Sequence, residues 1–289
     1  MKALDVRNVR FRYEGSDHWA LSGLDLTVTK GEFVTLLGCN GSGKSTLCKL
    51  SNGLIPHAIH GTLEGDIELF GNNIRDHSVA ELSTLAGIVF QEPESQLFCM
   101  SAEEEVAFGP ENLAVPRAEI EERVEWALNL VGLKGYNDRS PASLSGGQKQ
   151  RLAIAAALSM RPEMLVLDEP AYALDPVGRL ELYSMLRDLR TRYGMTVVLA
   201  ERDAEDAATF SDKVVLMKEG SVVAQGLTRE VLSDPDLLKS VGVAPPQILE
   251  IASILNKRGL GRDFSFLTVD EAERDIAPML SSGRRVAGG

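Results

Sequence analysis

The chain has 289 residues, of which 44% are hydrophobic and 25% are charged, a composition typical of a soluble globular protein. Its formal net charge of −12 argues against a generally basic nucleic-acid-binding face, although a local basic groove stays compatible with it. No apolar run approaches the ~20 residues of a membrane-spanning helix, and the first five residues lack the apolar core of a secretory signal. The three cysteines have no metal-ligand spacing, as expected in a reducing compartment. Because no apolar run is long enough to span a bilayer, we expect any membrane role to come through a partner. The length predicts one large domain, or one domain with an appendage.

The N-terminal segment has the alternating pattern of a β-hairpin. Apolar and polar residues alternate from Leu4 to Tyr13, with a bulge expected near Asn8, and a second short strand is predicted from Leu24 to Thr29. We expect these two strands to be antiparallel and to flank the stretch that follows them.

That stretch, residues 38–46, consists of Gly-Cys-Asn-Gly-Ser-Gly-Lys-Ser-Thr and fits the pattern G-x-x-x-x-G-K-[ST]. An apolar run of buried-strand character precedes it, and apolar residues with helical spacing follow it. Glycines let the backbone N–H groups turn inward, and the new helix adds its positive end, so this phosphate loop can wrap a polyphosphate. Lys44 would place its charge near the β- and γ-phosphates, and Ser45 or Thr46 would offer a hydroxyl to Mg²⁺. The alternative is a glycine-rich turn with a solvated lysine, which the flanking strand and helix disfavour.

Two further buried strands are predicted to end in polar side chains. One covers residues 87–91 and ends at Gln91, and the other covers residues 164–168 and ends at Asp168, which Glu169 follows. The second run suits a parallel strand covered on both faces, and an acid at its end is where a nucleotide-bound Mg²⁺ would be met. Carboxylate pairs in loops are usually only solvated, but a pair at the end of a buried strand downstream of a phosphate loop is uncommon.

The remaining segments alternate between helix and strand. The pattern is helical between these two strands, up to about residue 158, and a strand follows over residues 196–200. A helix over 177–192, a hairpin over 214–224 and C-terminal helices near 247–258 and 268–280 complete the predicted elements.

Residues 144–151, Leu-Ser-Gly-Gly-Gln-Lys-Gln-Arg, open a long helix rich in alanine. With this octet, which lies between the phosphate loop and the strand ending at Asp168, the chain resembles the ATP-binding cassette (ABC) ATPases over roughly residues 2–226. The resemblance implies an α/β fold. Its parts would be a P-loop NTPase (RecA-like) core with a mostly parallel sheet, an antiparallel β subdomain, an inserted helical subdomain and a small C-terminal helical region.

The same resemblance implies where the domains begin and end. The ABC ATP-binding domain would cover residues 1–230, with the helical subdomain at about 92–160. A small C-terminal dimerisation region would cover residues 231–280, and residues 281–289 are expected to form a disordered tail.

The resemblance also implies ATP and Mg²⁺ as cofactors and assigns roles to residues. Glu169 would orient the attacking water, and Tyr13 would stack on the adenine, although taken alone such a tyrosine is more often a sheet-edge aromatic. The implied catalytic residues are Glu169, Lys44, Gln91 and Arg202. The implied nucleotide ligands are Gly38, Asn40, Gly41, Ser42, Gly43, Lys44, Ser45, Thr46, Tyr13, Ser145, Gly146, Gly147 and Gln148. The implied metal ligands are Ser45, Gln91 and Asp168.

In that family the glycines of the octet, the signature motif, approach the γ-phosphate of a nucleotide bound to another subunit, and a D-loop, here Ala173 to Pro176, follows the catalytic acid. Glycines at a helix N-terminus suit this contact, because they expose N–H groups to the phosphate. ATP would therefore join two cassettes face to face.

Residues 87–98, residues 106–112 and the C-terminal segment starting at Pro245 look like those of the energy-coupling factor (ECF) and cobalt/nickel-type importer ATPases. Such cassettes form homo- or heterodimers at the cytoplasmic face of the cell membrane. They bind an integral membrane coupling subunit, which works with a substrate-capturing membrane subunit to import a vitamin or metal ion. Here the groove near Gln91 to Phe98 would receive the coupling subunit's helices. No nucleic-acid partner is expected.

The segment after the strand at 196–200 departs from the family pattern. Arg202 occupies the position of the switch histidine, or Glu201 does if the register slips by one. Neutral imidazole both donates and accepts hydrogen bonds, whereas guanidinium only donates and is always charged. We expect either that the chain's own site hydrolyses ATP slowly while its signature completes a faster site on a partner, or that Arg202 substitutes adequately.

Two other functions stay open at this point. One is a nucleotide-clamping regulatory subunit with little hydrolysis of its own, which Arg202 favours and which Glu169 and Lys44 disfavour. The other is a soluble ABC ATPase outside transport, which the single cassette and the lack of a basic face disfavour. The sequence identifies neither the cargo nor whether the dimer pairs identical chains.

Overall fold

A computed structural model describes residues 1–172, 174–259 and 264–283 of the chain. The strands within these ranges are β1 (Lys2–Tyr13), β2 (Leu21–Thr29), β3 (Phe33–Leu37), β4 (Gly61–Leu69), β5 (Asn72–Asn73), β6 (Ala86–Val89), β7 (Met164–Asp168), β8 (Thr196–Glu201), β9 (Lys213–Lys218) and β10 (Ser221–Leu227).

The helices are α1 (Lys44–Leu50), α2 (Leu54–His57), α3 (Val79–Ser83), α4 (Ala102–Asn112), α5 (Arg117–Leu130), α6 (Gly146–Ser159), α7 (Pro176–Tyr193), α8 (Ala204–Phe210), α9 (Thr228–Leu232), α10 (Pro235–Ser240), α11 (Gln247–Lys257) and α12 (Val269–Gly283). Short 3₁₀ helices cover Pro93–Ser95 and Pro141–Ser143.

The first sheet is antiparallel and has the strand order β2-β1-β4-β5. The bulge predicted near Asn8 is present, because the pairing of β1 shifts register against both neighbours there and Asn8 has a φ of 47°. Strand β2 starts at Leu21, three residues before the prediction. Two consecutive exposed residues, Ser22 and Gly23, interrupt the alternation of β2, so the sequence pattern does not indicate that the strand begins at Leu21.

The second sheet has the order β10-β9-β3-β8-β7-β6, in which β9, β3, β8, β7 and β6 are parallel and β10 is antiparallel to β9. Every residue of β3, β7 and β8 is buried, as continuous apolar runs predict for strands covered on both faces. The predicted mostly parallel sheet is therefore confirmed. The pairs Leu37–Glu201 and Asp168–Ala200 lie in register, so the carboxyl ends of β3, β7 and β8 meet at one edge.

A helical layer lies between β6 and β7 in the sequence. Helices α4, α5 and α6 pack on one another and share a core with the central sheet, in which Val106, Val124 and Leu152 are buried. This layer matches the helical insertion that was predicted.

The C-terminal helices α11 and α12 form a small cluster of their own around Phe264 and Phe266. Helix α12 continues to Gly283, three residues into the predicted tail, and residues 284–289 lie outside the described residues. Residues between α10 and α11 contact the phosphate loop, because the Cys39 N–H donates to the Val241 carbonyl at 3.4 Å.

Candidate active site

The phosphate loop connects β3 to α1 and passes close to its neighbours. A Cβ on Gly38 would lie 2.3 Å from the Met217 carbonyl oxygen, and one on Gly43 would lie 2.9 Å from the Ala20 carbonyl oxygen. Gly43 also has a φ of 103°, which side-chain-bearing residues rarely adopt. Both glycines are therefore required by the path of the backbone.

Lys44 begins α1, and its side chain lies on the inner side of the loop. Its buried ammonium donates to the carbonyl oxygens of Gly38 at 2.6 Å and Cys39 at 3.3 Å. The same nitrogen lies 3.7 Å from Glu169 Oε1. The loop thus holds a positive charge at the point where β7 ends.

Strand β7 carries Asp168 to this edge of the sheet. Its carboxylate is buried, accepts a hydrogen bond from Ser45, and leaves Oδ1 without a protein partner. Burial raises the pKa of Asp168, while the Ser45 hydrogen bond offsets part of that shift. A buried oxygen without a partner is costly, and a hard divalent cation prefers such oxygens as ligands.

The Asp168 carboxylate and the Ser45 hydroxyl therefore fit Mg²⁺, which in nucleotide sites is held by few protein ligands and by phosphate oxygens. When bound there, Mg²⁺ would neutralise charge on the β- and γ-phosphates.

Glu169 follows in a left-handed backbone conformation, with a φ of 47°. Its N–H donates to the Ala200 carbonyl at 2.9 Å, which fixes the turn against β8. Its buried carboxylate oxygen Oε2 accepts from Gln91 Nε2 at 3.2 Å and lies 2.5 Å from Arg202 Nη2. With Lys44 near Oε1, donors face both oxygens of this carboxylate.

The structure places Arg202, not Glu201, beside Glu169. The Arg202 guanidinium also lies over the Tyr172 ring, 5.5 Å from its centroid, and its side chain is 42% exposed. The hydrogen bond to Glu169 raises the pKa of Arg202 above its already high ordinary value. Arg202 therefore stays charged at every physiological pH.

Tyr13 lies at the end of β1, where it contacts the phosphate loop. Its hydroxyl shares a hydrogen bond with Thr46 Oγ1 at 2.9 Å, and its ring packs edge-on against Phe11, with 4.9 Å between centroids. Its predicted stacking on an adenine stays a prediction.

Most of these groups line one cavity of about 430 Å³. Its lining residues are Tyr13, Ala20, Asn40, Gly41, Ser42, Gly43, Lys44, Ser45, Thr46, Gln91, Glu169 and Arg202. The structure therefore brings most of the predicted phosphate-loop residues together with Gln91, Glu169 and Arg202, whereas Asp168 and Gly38 are not among the residues that line this cavity.

The signature residues lie elsewhere, at the start of α6. Ser145 accepts from the Gln148 N–H at 3.4 Å and its own N–H donates to Gln148 Oε1 at 3.0 Å, so the two residues cap the helix reciprocally. They line a second pocket of about 530 Å³ together with Gly146, Gly147 and the D-loop residue Asp175. Ala173 of the predicted D-loop lies outside the described residues.

Sequence reasoning missed two residues of this region. Tyr172, which packs on Arg202, lies three residues after Glu169 and belongs to no recognised sequence motif. Tyr183, whose hydroxyl donates to Glu201, belongs to the apolar stripe of α7 and is indistinguishable there from a core residue. A tyrosine in a buried stripe does carry one signal, because its hydroxyl needs a partner.

Fold and site together define a P-loop nucleoside triphosphatase. The phosphate loop follows a buried parallel strand, and Glu169, which follows the last residue of a second parallel strand, lies 3.7 Å from the lysine of the loop.

The ABC transporter family model matches residues 21–172, and the chain belongs to that family. It is an ATP-binding ATPase with the P-loop fold of ABC cassettes.

Close relatives cover the chain almost completely. A protein of Pyrococcus abyssi named as an ABC transporter ATP-binding protein is 45% identical over 280 residues, 97% of this chain and 100% of that protein. The energy-coupling factor transporter ATP-binding protein EcfA1 of Clostridium novyi is 40% identical over 272 residues, 93% of this chain and 95% of that protein.

Among solved structures, cbiO1 of Clostridium perfringens is similar, with a TM-score of 0.73 and 34% identity. The likeness covers 87% of this chain and 99% of that one. That structure is described as part of the ABC transporter complex cbiONQ.

We predict that Lys44→Ala lowers both ATP affinity and phosphate release, the latter on the order of a hundredfold, because it removes the charge that faces the phosphates. Lys49→Ala is the matched control, since Lys49 lies on the same helix but outside the cavity. Isothermal titration with ATP and a phosphate-release assay measure the two effects. Equal activity of Lys44→Ala and the parent protein would contradict the assignment of the site.

Proposed function

We propose that the chain is the ATP-hydrolysing subunit of an ECF-type ABC importer. It would couple ATP-driven dimer closure to uptake of a vitamin or metal ion through separate membrane subunits. The 40% identity to an energy-coupling factor ATP-binding protein over nearly the whole chain supports this assignment. The likeness to a subunit of an ABC transporter complex supports it independently.

The observation that carries the proposal is the separation of two half-sites. The cavity at Lys44 and the pocket at Ser145 have no lining residue in common among the described residues. A Cβ on Gly146 would meet nothing within 4 Å in this chain, so the start of α6 presents open backbone. A nucleotide held by both half-sites then needs a second cassette, identical or related, arranged face to face with the first.

Within such a pair, the chain's own residues have distinct tasks. Lys44 and the loop N–H groups would bind the β- and γ-phosphates, and Ser45, Asp168 and Gln91 would hold the metal. Glu169 accepts a proton from water in line with the γ-phosphate. The signature of the second cassette approaches the same phosphate from the opposite side and excludes bulk water.

A membrane partner is favoured by an exposed apolar patch beside Gln91. The side chains of Phe98 and Met100 are 64% and 81% exposed, and Phe98 packs edge-on against Phe108 with 4.8 Å between centroids. Among the described residues, every helix is too short or too polar to cross a bilayer. We therefore propose peripheral attachment at the cytoplasmic face, with this patch receiving helices of the coupling subunit.

The ion pair between Arg202 and Glu169 points to slow turnover at this chain's own site. Arg202 and Gln91 already bind Oε2 of Glu169, so a water molecule that Glu169 orients must compete with them for this oxygen. This observation also favours a second candidate, a subunit that clamps ATP with little turnover. Phosphate release by the assembled complex separates the two functions.

We predict that the tagged chain, purified from detergent-solubilised membranes of its own cells, carries integral membrane proteins and releases phosphate from ATP. Gly146→Ala is the matched variant, because its methyl group meets open space in this chain and only a nucleotide bound by the second cassette would contact it. It should assemble equally but lose phosphate release, on the order of a hundredfold. Recovery of the parent chain alone, without membrane proteins, would contradict the importer assignment.

We predict that Arg202→His raises phosphate release by the complex about tenfold, because a hydrogen bond to a charged group contributes about 1.5–3 kcal/mol. The rate at the chain's own site is the phosphate-release rate of the complex minus the rate of the same complex carrying Lys44→Ala. Arg202→Lys keeps a cation beside Glu169 and should stay near the parent rate. A histidine variant no faster than the parent would show that the arginine does not slow the site.

A further inference from the structure

A buried carboxylate lies directly behind Arg202, and the proposed reaction does not use it. Glu201 is the last residue of β8 and is 6% exposed. Its Oε1 accepts from the Tyr183 hydroxyl, and its Oε2 accepts from the Arg202 N–H at 3.2 Å. Burying a carboxylate is costly unless donors meet it, so these two donors determine where the segment after β8 can lie.

Tyr183 is a fixed donor. It is fully buried on α7 and stacks on Phe210, with 5.3 Å between ring centroids. Burial and the neighbouring carboxylates of Glu201 and Asp206 raise its pKa, so its hydroxyl keeps the proton that it donates. Tyr183 thus has two roles: its ring fills the core, and its hydroxyl orients Glu201.

A second contact from α7 fixes the residues that follow Arg202 in the chain. Arg179 donates from Nε to Asp206 Oδ2 at 2.5 Å and from Nη2 to Asp203 Oδ2 at 3.1 Å. Asp203 in turn caps α8 by accepting the Glu205 N–H at 2.9 Å. Arg202 therefore lies between two attachment points on one helix.

The same helix reaches the second half-site. Its N-cap residue Asp175 accepts the Gly178 N–H at 2.7 Å, and both residues line the signature pocket. A rigid α7 thus connects the surface that faces the second cassette with the segment that carries Arg202.

We propose that Glu201 and Tyr183 are positioning residues that hold Arg202 against Glu169 and thereby set the hydrolysis rate of this site. The inference rests on the proposed function, in which the Arg202–Glu169 pair slows turnover. Neither residue is among those that line the nucleotide cavity, and Glu201 bonds the Arg202 N–H directly, so we expect their effect to pass through Arg202. Loosening either contact releases the guanidinium from the catalytic carboxylate.

The test is a double-mutant cycle in the purified complex, with the own-site rate taken as before. Tyr183→Phe keeps the stacked ring and removes only the hydroxyl. We expect kcat to rise about two- to fivefold, the size of one lost hydrogen bond, with KM for ATP unchanged. In the Arg202→His background the same change should leave kcat within about 1.5-fold, because the guanidinium it positioned is gone.

A purely structural role of Tyr183 would instead lower kcat, or change it by the same factor in both backgrounds, and either result overturns the inference. If Arg202→His alone raises kcat while Tyr183→Phe does not, the inference fails and the proposed function stands. If Arg202→His has no effect, the inference fails together with the claim that Arg202 slows turnover, while the importer assignment is decided by its own test. Glu201→Gln repeats the cycle where Tyr183→Phe lowers the melting temperature or ATP affinity, since it removes the charge with little change of shape.

Discussion

The catalytic region depends on how one buried carboxylate is satisfied. Glu169 sits in a left-handed turn at the end of β7, and donors from three separate segments face it. Gln91 contributes a neutral amide, whereas Lys44 and Arg202 contribute charge. Lys44 is also the group that we propose binds phosphate, so a nucleotide would compete with Glu169 for it. Arg202 lies at the position expected for a switch histidine, and here it pairs with Glu169.

The sheet explains why these residues meet, and the helical layer explains why the site is incomplete. Parallel strands β3, β7 and β8 end at one edge of the sheet. The phosphate loop, Asp168 and Arg202 therefore lie close together although they are far apart in the sequence. The signature belongs to α6, which is part of the inserted layer and lines a separate pocket. Each chain thus offers two unlike half-sites, which the proposed face-to-face pair would complete at once.

The sequence predicted the parallel sheet and the phosphate loop well, because continuous apolar runs and a spaced glycine motif are local signals. It did not predict the short helices α8, α9 and α10, which have too few turns to show a period. The ion pair of Arg202 and the buried pair of Glu201 with Tyr183 were also missed. The ion pair depends on the pairing of β7 with β8, and the buried pair depends on which face α7 turns toward β8; both are properties of the folded chain. The sequence left the switch position open between Glu201 and Arg202, and only the geometry distinguishes them.

We expect Arg202 to remain on the carboxylate of Glu169 when nucleotide is bound. A high-resolution structure of the assembled complex with Mg²⁺ and a non-hydrolysable ATP analogue would show whether it does. In that structure Lys44 should contact the phosphates while the Arg202 guanidinium stays within hydrogen-bonding distance of Glu169, below about 3.5 Å. An Arg202 side chain turned onto the γ-phosphate, with the Glu169 carboxylate free to bind water, would contradict it.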